Sequence, residues 1–291
     1  MVKTFSQLYQ DARKALLTSE DAHSASLYAR TLLCHVTGAT PDKILTDGHM
    51  YASENACTQM EVLTGRLLAG EPLAYVLGNW EFYGLQLKVN EHVLIPRDDT
   101  CAVAELAIGK ALFLDNNPRI LDLCTGSGCI GLAIASRVKD AKVTLADISK
   151  EALAVAKQNI SLHKMGGRVT CYQADALQAP DGFLGKFDMI VSNPPYITSR
   201  EMEALPPSVK DYEPHLALHG GEDGLIFYRS IADHYRKALK PGGYLCFEFG
   251  MGQGDAVCQI LTQYGYTVLE RTKDYNDRER AVIARYDRKE D

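Results

Sequence analysis

The sequence predicts an α/β protein with a mostly parallel sheet, preceded by a small helical-bundle domain and a β-hairpin linker. From about residue 99, short strand-like apolar runs alternate with helix-length segments, which is typical of a parallel sheet covered by helices on both faces. The first 70 residues show helical rather than alternating periodicity. The chain of 291 residues also exceeds one typical core of about 100 to 200 residues, which predicts two domains.

The first predicted domain, residues 1–72, is helical. Thr4 and Gln7 have the spacing of a capping box, and glycines follow two of the helical segments. The predicted helices run from Thr4 to about Leu17, from Ser19 to Gly38, briefly after Pro41, and from Ser53 to about Ala69. Because nothing here looks catalytic, we expect this domain to serve core packing and to hold a partner or substrate.

Residues 73–98 form the predicted linker. Tyr75-Val76-Leu77-Gly78 is followed by Phe82-Tyr83-Gly84, and apolar and polar residues then alternate from Leu85 to Val89. Aromatic residues, a glycine and period-two alternation together predict a hairpin.

The third segment, residues 99–291, carries the predicted sheet. Strands are expected at 120–123, 143–146, 169–172, 187–191 and 243–249, with 266–269 and 281–285 as a closing pair. Helices are expected at about 100–113, 129–138, 149–163, 223–239 and 253–264. This order predicts an open sheet, whose ligands bind at the carboxyl ends of the strands.

Charge argues against a nucleic-acid-binding protein. The chain has 31 basic and 37 acidic residues, for a net charge of −6. Residues 1–85 contain 6 basic and 9 acidic residues, and the remainder contains 25 and 28, so neither part is basic. Tight, sequence-independent binding to nucleic acid requires Lys and Arg to neutralise phosphates.

The remaining composition indicates a cytoplasmic protein. No apolar run approaches the roughly 20 residues of a membrane span, and Met1-Val2-Lys3-Thr4-Phe5 does not open an apolar leader. The eight cysteines are scattered without a C-x-x-C pair, which favours reduced thiols. His215 and His219 have a helical metal-ligand spacing but lie between Pro214 and Gly220-Gly221, so we expect no metal site.

A glycine loop follows the first strand of the predicted sheet. Leu121-Asp122-Leu123-Cys124-Thr125-Gly126-Ser127-Gly128-Cys129-Ile130-Gly131 leads from a strand into a helix. Glycines permit close backbone approach, and a helix N-terminus offers free N–H groups. Asp147, at the end of the next strand, is placed to hold ribose hydroxyls, so we predict a nucleoside-type cofactor. Since Gly126-x-Gly128-x-x-Gly131 also fits a dinucleotide fingerprint, a nicotinamide enzyme remains an alternative.

A second motif, Asn193-Pro194-Pro195-Tyr196, follows the strand Phe187–Val191. Two prolines cannot continue a sheet ladder, so the chain leaves the sheet at its carboxyl edge. The prolines supply carbonyl acceptors without N–H donors, Asn193 adds a side-chain acceptor, and Tyr196 presents a flat face. This combination favours binding of a planar, exocyclic amino group.

This motif resembles the hallmark of S-adenosylmethionine-dependent methyltransferases that act on such nitrogens. The chain resembles, over nearly its whole length, the peptide chain release factor N5-glutamine methyltransferases (the PrmC/HemK family). The matching segments include Tyr75–Gly78, Glu81–Leu85, Val93–Arg97, Leu121–Leu123, Thr125–Ile130, Ile190–Ile197, Tyr212–Pro214, Gly221-x-Asp223-Gly224-Leu225, Phe227–Arg229, Pro241–Gly243 and Glu248-x-Gly250.

The resemblance implies a Rossmann-like class I methyltransferase domain behind a helical domain and a hairpin linker. It implies S-adenosyl-L-methionine as cofactor, peptide chain release factors as protein substrates, and methylation of the glutamine of their Gly-Gly-Gln loop. Two segments depart from the family pattern. Cys124 replaces a loop glycine, which requires it to keep a negative φ. Arg97-Asp98-Asp99-Thr100-Cys101 replaces Arg-Pro-Glu-Thr-Glu, which shortens one acid and removes the other.

We expect the substrate amide to meet the second motif. The Asn193 side-chain oxygen and the Pro194 carbonyl would accept its two N–H bonds, and Pro195 and Tyr196 would sandwich it. Asn193 cannot act as a general base near neutral pH, so no sharp pH optimum is expected from it.

The expected cofactor contacts are shared among three loops. Asp147 would hold the ribose, Asp175 or Ala176 the adenine edge, and residues 124–128 the methionine portion. Asp122 either meets the ammonium group or orders the loop. The full set of expected cofactor residues is Asp122, Cys124, Thr125, Gly126, Ser127, Gly128, Asp147, Asp175, Ala176 and Asn193.

Three other functions fit parts of this pattern. A DNA adenine-N6 methyltransferase shares the Asn-Pro-Pro-Tyr logic but must flip a base and bind phosphates, usually with an added basic region. A nicotinamide dehydrogenase leaves residues 193–196 unexplained. A non-catalytic binding module would retain the fold alone.

Overall fold

The computed structural model describes residues 2–114 and 116–287. Met1, Asp115 and residues 288–291 lie outside the described residues, and so do the outer ends predicted for the first and third segments. No helix in the described ranges is long and apolar enough to cross a membrane.

The described residues form two compact units. One extends up to Gly78 and also includes Pro207–Tyr212. The other comprises Asn79–Pro206 and the chain from Glu213 onward. The domain limits at residues 72 and 98 stay predictions.

The first unit is helical, with apolar side chains such as Leu8, Leu32 and Met60 in its core. Its helices are α1 (Phe5–Leu16), α2 (Ala22–Thr37), α3 (Pro41–Thr46), α4 (Glu54–Leu68), α5 (Leu73–Leu77) and α10 (Pro207–Lys210). The Thr4–Gln7 capping box is confirmed, with Thr4 N donating to Gln7 Oε1 at 2.9 Å and Gln7 N to Thr4 Oγ1 at 3.2 Å. The four predicted helices are therefore confirmed.

The start of the predicted linker, residues 73–77, is helical and precedes the hairpin. Leu73–Leu77 is the short helix α5, which buries Ala74, Tyr75 and Val76. Gly78 ends it with a φ of 68°, a left-handed conformation that glycine adopts without strain. Apolar burial on a single turn thus outweighs the strand propensity of Tyr and Val.

A two-stranded hairpin opens the second unit. Strands β1 (Asn79–Phe82) and β2 (Leu85–Lys88) are antiparallel, and Tyr83 and Gly84 connect them with positive φ angles. The buried Asn159 side chain accepts from Lys88 N at 2.6 Å and donates to Lys88 O at 3.0 Å. Its Nδ2 also donates to Ser127 O at 2.9 Å, so one side chain fixes both the hairpin and the glycine loop.

The second unit contains a seven-stranded sheet of order β5-β4-β3-β6-β7-β9-β8. Its strands are β3 (Arg119–Leu123), β4 (Lys142–Asp147), β5 (Val169–Gln173), β6 (Phe187–Ser192), β7 (Leu239–Glu248), β8 (Tyr266–Lys273) and β9 (Glu279–Tyr286). The first five are parallel, and β9 is antiparallel to both neighbours. The mostly parallel sheet and its closing pair are confirmed.

Helices cover both faces of this sheet. The helices of this unit are α6 (Cys101–Ala111), α7 (Cys129–Arg137), α8 (Lys150–Leu162), α9 (Ser199–Glu203), α11 (Ile226–His234) and α12 (Gly254–Gln263), with 3-10 turns at Asp98–Thr100, His215–Ala217 and Tyr235–Ala238, and α9 alone among these six helices has no buried residue. One apolar core includes residues of α6, α7 and α8, and a second includes residues of α11 and α12. Both faces of the sheet are thereby buried, as a parallel sheet requires.

Candidate active site

A cavity of about 490 Å³ opens beside β3, β4 and β6, at the carboxyl ends of the strands where the strand order reverses. Open α/β sheets bind ligands at this position. Its wall contains these predicted site residues: Cys124, Thr125, Gly126, Ser127, Asp147, Asp175, Ala176, Asn193 and Pro195. The fold therefore brings most of the predicted residues together at one cavity.

Among the described residues, four predicted site residues do not line this cavity: Asp122, Gly128, Pro194 and Tyr196. Gly128 caps α7, and a Cβ there would lie 2.9 Å from Leu145 Cδ1, so this glycine serves close packing. Pro194 is buried between two wall residues, and the ring of Tyr196 packs against the core. These four residues therefore lie outside the cavity wall, and their roles at the site stay predictions.

Cys124 adopts the conformation that the sequence argument excluded. Its φ is +61°, in the left-handed region, whereas a negative φ was expected. A non-glycine residue there costs about 1–2 kcal/mol. The neighbouring Thr125 N donates to Ala146 O at 3.0 Å, which anchors the sharp turn after β3. Burial raises the pKa of the Cys124 thiol, so this sulfur is held as the neutral thiol.

Asp122 orders the loop from behind. Its Oδ2 accepts from Thr125 Oγ1 at 2.6 Å and from Gly131 N at 2.9 Å. Its Oδ1 has no hydrogen-bond partner among the described residues. Burial raises the pKa of Asp122 to about 7, while the Thr125 and Gly131 hydrogen bonds oppose that rise. Of the two roles considered for Asp122, the described contacts favour loop ordering.

Asp147 closes the loop from the neighbouring strand. Its Oδ2 accepts from Gly126 N at 2.9 Å and its Oδ1 from Ser149 N at 3.0 Å. Burial raises the pKa of the carboxyl, and these backbone donors counteract it. Because each carboxylate oxygen can accept more than one hydrogen bond, Asp147 retains acceptor capacity toward the cavity.

The Asn193–Tyr196 segment is held by a tight backbone frame. Gln253 Nε2 donates to Tyr196 O at 3.0 Å. A Cβ on Gly220 would lie 2.7 Å from Pro195 O, and one on Gly224 would lie 2.3 Å from Tyr196 O. Only glycine permits this approach, so both positions next to the motif require it. The frame fixes where the Asn193 side chain stands at the cavity.

The cavity wall is acidic. Glu91, Asp147, Glu151 and Asp175 line it, whereas neither Lys nor Arg does so among the described residues. Such a wall favours a cationic ligand over a phosphate-bearing one. Ser127 Oγ also lies at the cavity, nearly buried and with no hydrogen-bond partner in the described part of the chain.

Sequence reasoning missed several residues that shape this site. Arg97 pairs with the buried Glu213, which also accepts from Ile95 N at 3.1 Å. Thr100 lines the cavity and receives Asn193 Nδ2 at 3.4 Å. Both Arg97 and Glu213 belong to segments already quoted for the family resemblance, and that was the available signal. Their pairing across 116 residues depends on the tertiary fold.

Two protein-family models match this chain, one in each unit. The profile of the methyltransferase small domain matches residues 103–217, and that of the PrmC N-terminal domain matches residues 7–78. A solved methyltransferase from Pyrococcus furiosus superposes with a TM-score of 0.51 at 19% identity, covering 77% of this chain and 98% of its own. That likeness supports the fold.

Sequence relatives extend over most of the chain. The release factor glutamine methyltransferase of Clostridium acetobutylicum is 39% identical over 256 residues, which is 88% of this chain and 90% of that protein. The release factor glutamine methyltransferase of Vibrio cholerae is 37% identical over 274 residues, 93% of each chain. This chain therefore belongs to the release factor glutamine methyltransferase family.

Proposed function

We propose that this protein transfers a methyl group from S-adenosylmethionine to the side-chain amide nitrogen (N5) of the glutamine in the Gly-Gly-Gln loop of peptide chain release factors. The observation that carries this proposal is the Asn193-Pro194-Pro195-Tyr196 segment, which follows β6 and through Asn193 and Pro195 lines the same cavity as the glycine loop and Asp147. The names of the relatives support the substrate. The helical unit is proposed to hold the release factor.

The wall residues fit this cofactor. S-adenosylmethionine carries a positive sulfonium and an ammonium group, which suit an acidic wall without Lys or Arg in the described part. Ser127 Oγ offers an unused hydrogen-bonding group, and a Cβ built on Gly126 meets nothing within 4 Å, so backbone there is open to a ligand. We assign the ribose to Asp147, the adenine edge to Asp175 and Ala176, and the methionine portion to residues 124–128.

When bound, the cofactor supplies an electrophilic methyl group, and the protein must present a nitrogen to it. A carboxamide nitrogen is a poor nucleophile because its lone pair is delocalised into the carbonyl. Asn193 Oδ1 and the Pro194 carbonyl would accept its two N–H bonds and orient the lone pair toward the methyl. Orientation of this kind can contribute several kcal/mol. Methyl transfer would break the methyl–sulfur bond of the cofactor and leave a neutral thioether, and the methylated nitrogen would release one proton to solvent, without a base supplied by Asn193.

A DNA adenine-N6 methyltransferase, the alternative considered from the sequence, is not supported. Relatives that span 88–93% of this chain are named for release factors and glutamine. The cavity wall also lacks Lys and Arg within the described residues.

The test is a labelling experiment. Purified protein and methyl-labelled S-adenosylmethionine are incubated with a release factor, with the same release factor carrying Asn for its Gly-Gly-Gln glutamine, and with duplex DNA. We expect label on the unaltered release factor alone, located on the glutamine by mass spectrometry. Asn193→Ala should abolish turnover while cofactor affinity by calorimetry stays within about twofold. Label on DNA but not on protein refutes the proposal, and retained turnover in Asn193→Ala refutes the role of that residue.

A further inference from the structure

A buried acid stands behind the catalytic motif and has no part in the reaction described so far. Glu248, the last residue of β7, is 1% exposed. Strands β6 and β7 are parallel, and Ser192 pairs with Phe247. Asn193 and Glu248 are the next residues along these two neighbouring segments of chain. Glu248 Oε2 has no hydrogen-bond partner within the described residues. A buried acid without a full set of partners is costly, which asks for a reason beyond packing.

Thr100 connects this acid to Asn193. It is 2% exposed, yet it reaches the cavity wall. Its Oγ1 accepts from Asn193 Nδ2 at 3.4 Å. Thr100 and Asn193 lower the pKa of Glu248 against the effect of burial, which indicates that both groups lie near the carboxyl.

With Glu248 ionised and accepting from Thr100, the donor inventory of these groups leaves one arrangement. An ionised carboxylate can only accept, and a threonine hydroxyl has a single proton to donate. If that proton goes to Glu248, the Thr100 oxygen is left to accept from the Asn193 amide. The Nδ2 end of Asn193 must then face inward, and its Oδ1 must face the cavity. This matters because the two ends of an asparagine amide have nearly the same shape, so sterics alone do not select one.

We propose that Glu248 and Thr100 are positioning residues that hold the Asn193 amide with Oδ1 toward the substrate. This inference rests on the proposed function, in which Oδ1 accepts an N–H of the substrate glutamine. A reversed Asn193 amide would turn its Nδ2 N–H groups toward the N–H groups of the substrate amide, and two donors facing each other repel.

Protonation of Glu248 would release this constraint, because a neutral carboxyl can donate to Thr100 and permit the reversed arrangement. Burial raises the pKa of Glu248 to about 7; Thr100, Arg280 and Asn193 act to lower it, and Asp99 adds to the rise. Arg280 is itself held by Asp99 at 3.0 Å and Asp274 at 3.1 Å, so its charge is shared. The charge of Glu248 also raises the pKa values of four other groups: Cys101, Cys129, Tyr196 and Tyr228.

The experiment compares Glu248→Gln, Thr100→Val and Thr100→Ser in the full chain. For each, kcat and KM for the release factor are measured from pH 5.5 to 9, and the Kd for S-adenosylmethionine is measured by calorimetry. We expect Glu248→Gln and Thr100→Val to lower kcat at least tenfold with the cofactor Kd within twofold of wild type. Thr100→Ser, which keeps the hydroxyl, should retain kcat within threefold. Wild-type kcat should fall below about pH 7, and Glu248→Gln should lose this acid limb.

The outcomes separate the two proposals. If the wild-type protein does not methylate the release-factor glutamine, the proposed function fails and this inference fails with it. If the wild type is active and Thr100→Val or Glu248→Gln keeps wild-type kcat, only the positioning role is overturned. A cofactor Kd weakened in step with kcat would also overturn it, since a structural defect moves both. Should Glu248→Gln fail to fold, the contrast between Thr100→Val and Thr100→Ser decides.

Discussion

Gly131 gives the sharpest test of how the cofactor loop is packed. It is the third residue of α7, behind the loop. A Cβ placed there would lie 2.2 Å from Leu145 Cδ2, 3.0 Å from Asp122 Oδ2 and 3.1 Å from Asp122 Cβ. The Leu145 methyl can move aside, but Asp122 is fully buried and hydrogen-bonded to Gly131 N. Gly131→Ala therefore overpacks the core.

The magnitude follows from two opposing effects. Overpacking a well-filled core costs about 1–3 kcal/mol, whereas replacing glycine by alanine within a helix gains about 1 kcal/mol. Gly109→Ala in α6 is the matched control, because that glycine is exposed and a Cβ on it meets nothing within 4 Å. We expect Gly131→Ala to destabilise by up to about 2 kcal/mol and Gly109→Ala to stabilise by up to about 1 kcal/mol.

Urea unfolding monitored by circular dichroism measures both values, with the m-value compared to wild type to check that the transition is unchanged. If Gly131→Ala is as stable as Gly109→Ala, the close contact between α7, Leu145 and Asp122 does not exist as described. Reduced cofactor affinity in Gly131→Ala alone would further link this contact to the loop.

Two other predictions concern the loop acids. Asp147→Ala should weaken cofactor binding by about 1–3 kcal/mol, the scale of lost buried acceptors, and an unchanged Kd in calorimetry would contradict the ribose role. Asp122, with its pKa raised to about 7, stays protonated in the folded protein between about pH 4 and 7, where the unfolded chain has lost that proton. Stability should therefore fall as pH rises through this window, by up to about 4 kcal/mol, and the fall should be smaller in Asp122→Asn; parallel urea-derived profiles for the two proteins would refute this.

The sequence was informative wherever one residue type determined the local outcome. Two consecutive prolines after β6 end the sheet ladder, and the glycines after β3 permit a sharp turn into a helix, so both motifs could be placed at the carboxyl edge. The capping residues of α1 and α2 similarly located helix starts within a few residues.

The sequence was less informative where residues distant in the chain determine the local conformation. Cys124 occupies a left-handed turn that local preference argues against, and the surrounding bonds of the β3 turn impose it. Which faces of Pro194 and Tyr196 are exposed depends on Gly220, Gly224 and Gln253, more than 20 residues away. The Leu73–Leu77 helix likewise owes its form to burial of three side chains.

The bridge made by Asn159 carries a reciprocal consequence. Its amide joins Ser127 O in the loop to both backbone groups of Lys88 at the end of the hairpin. Coupling between two sites is reciprocal, so any free energy that this bridge transmits from the loop to the hairpin it also transmits from the hairpin to the loop. Saturation with S-adenosylmethionine should therefore slow hydrogen exchange at the Lys88 amide, and Asn159→Ala should abolish that effect. The hairpin would then report on cofactor occupancy without touching the cofactor.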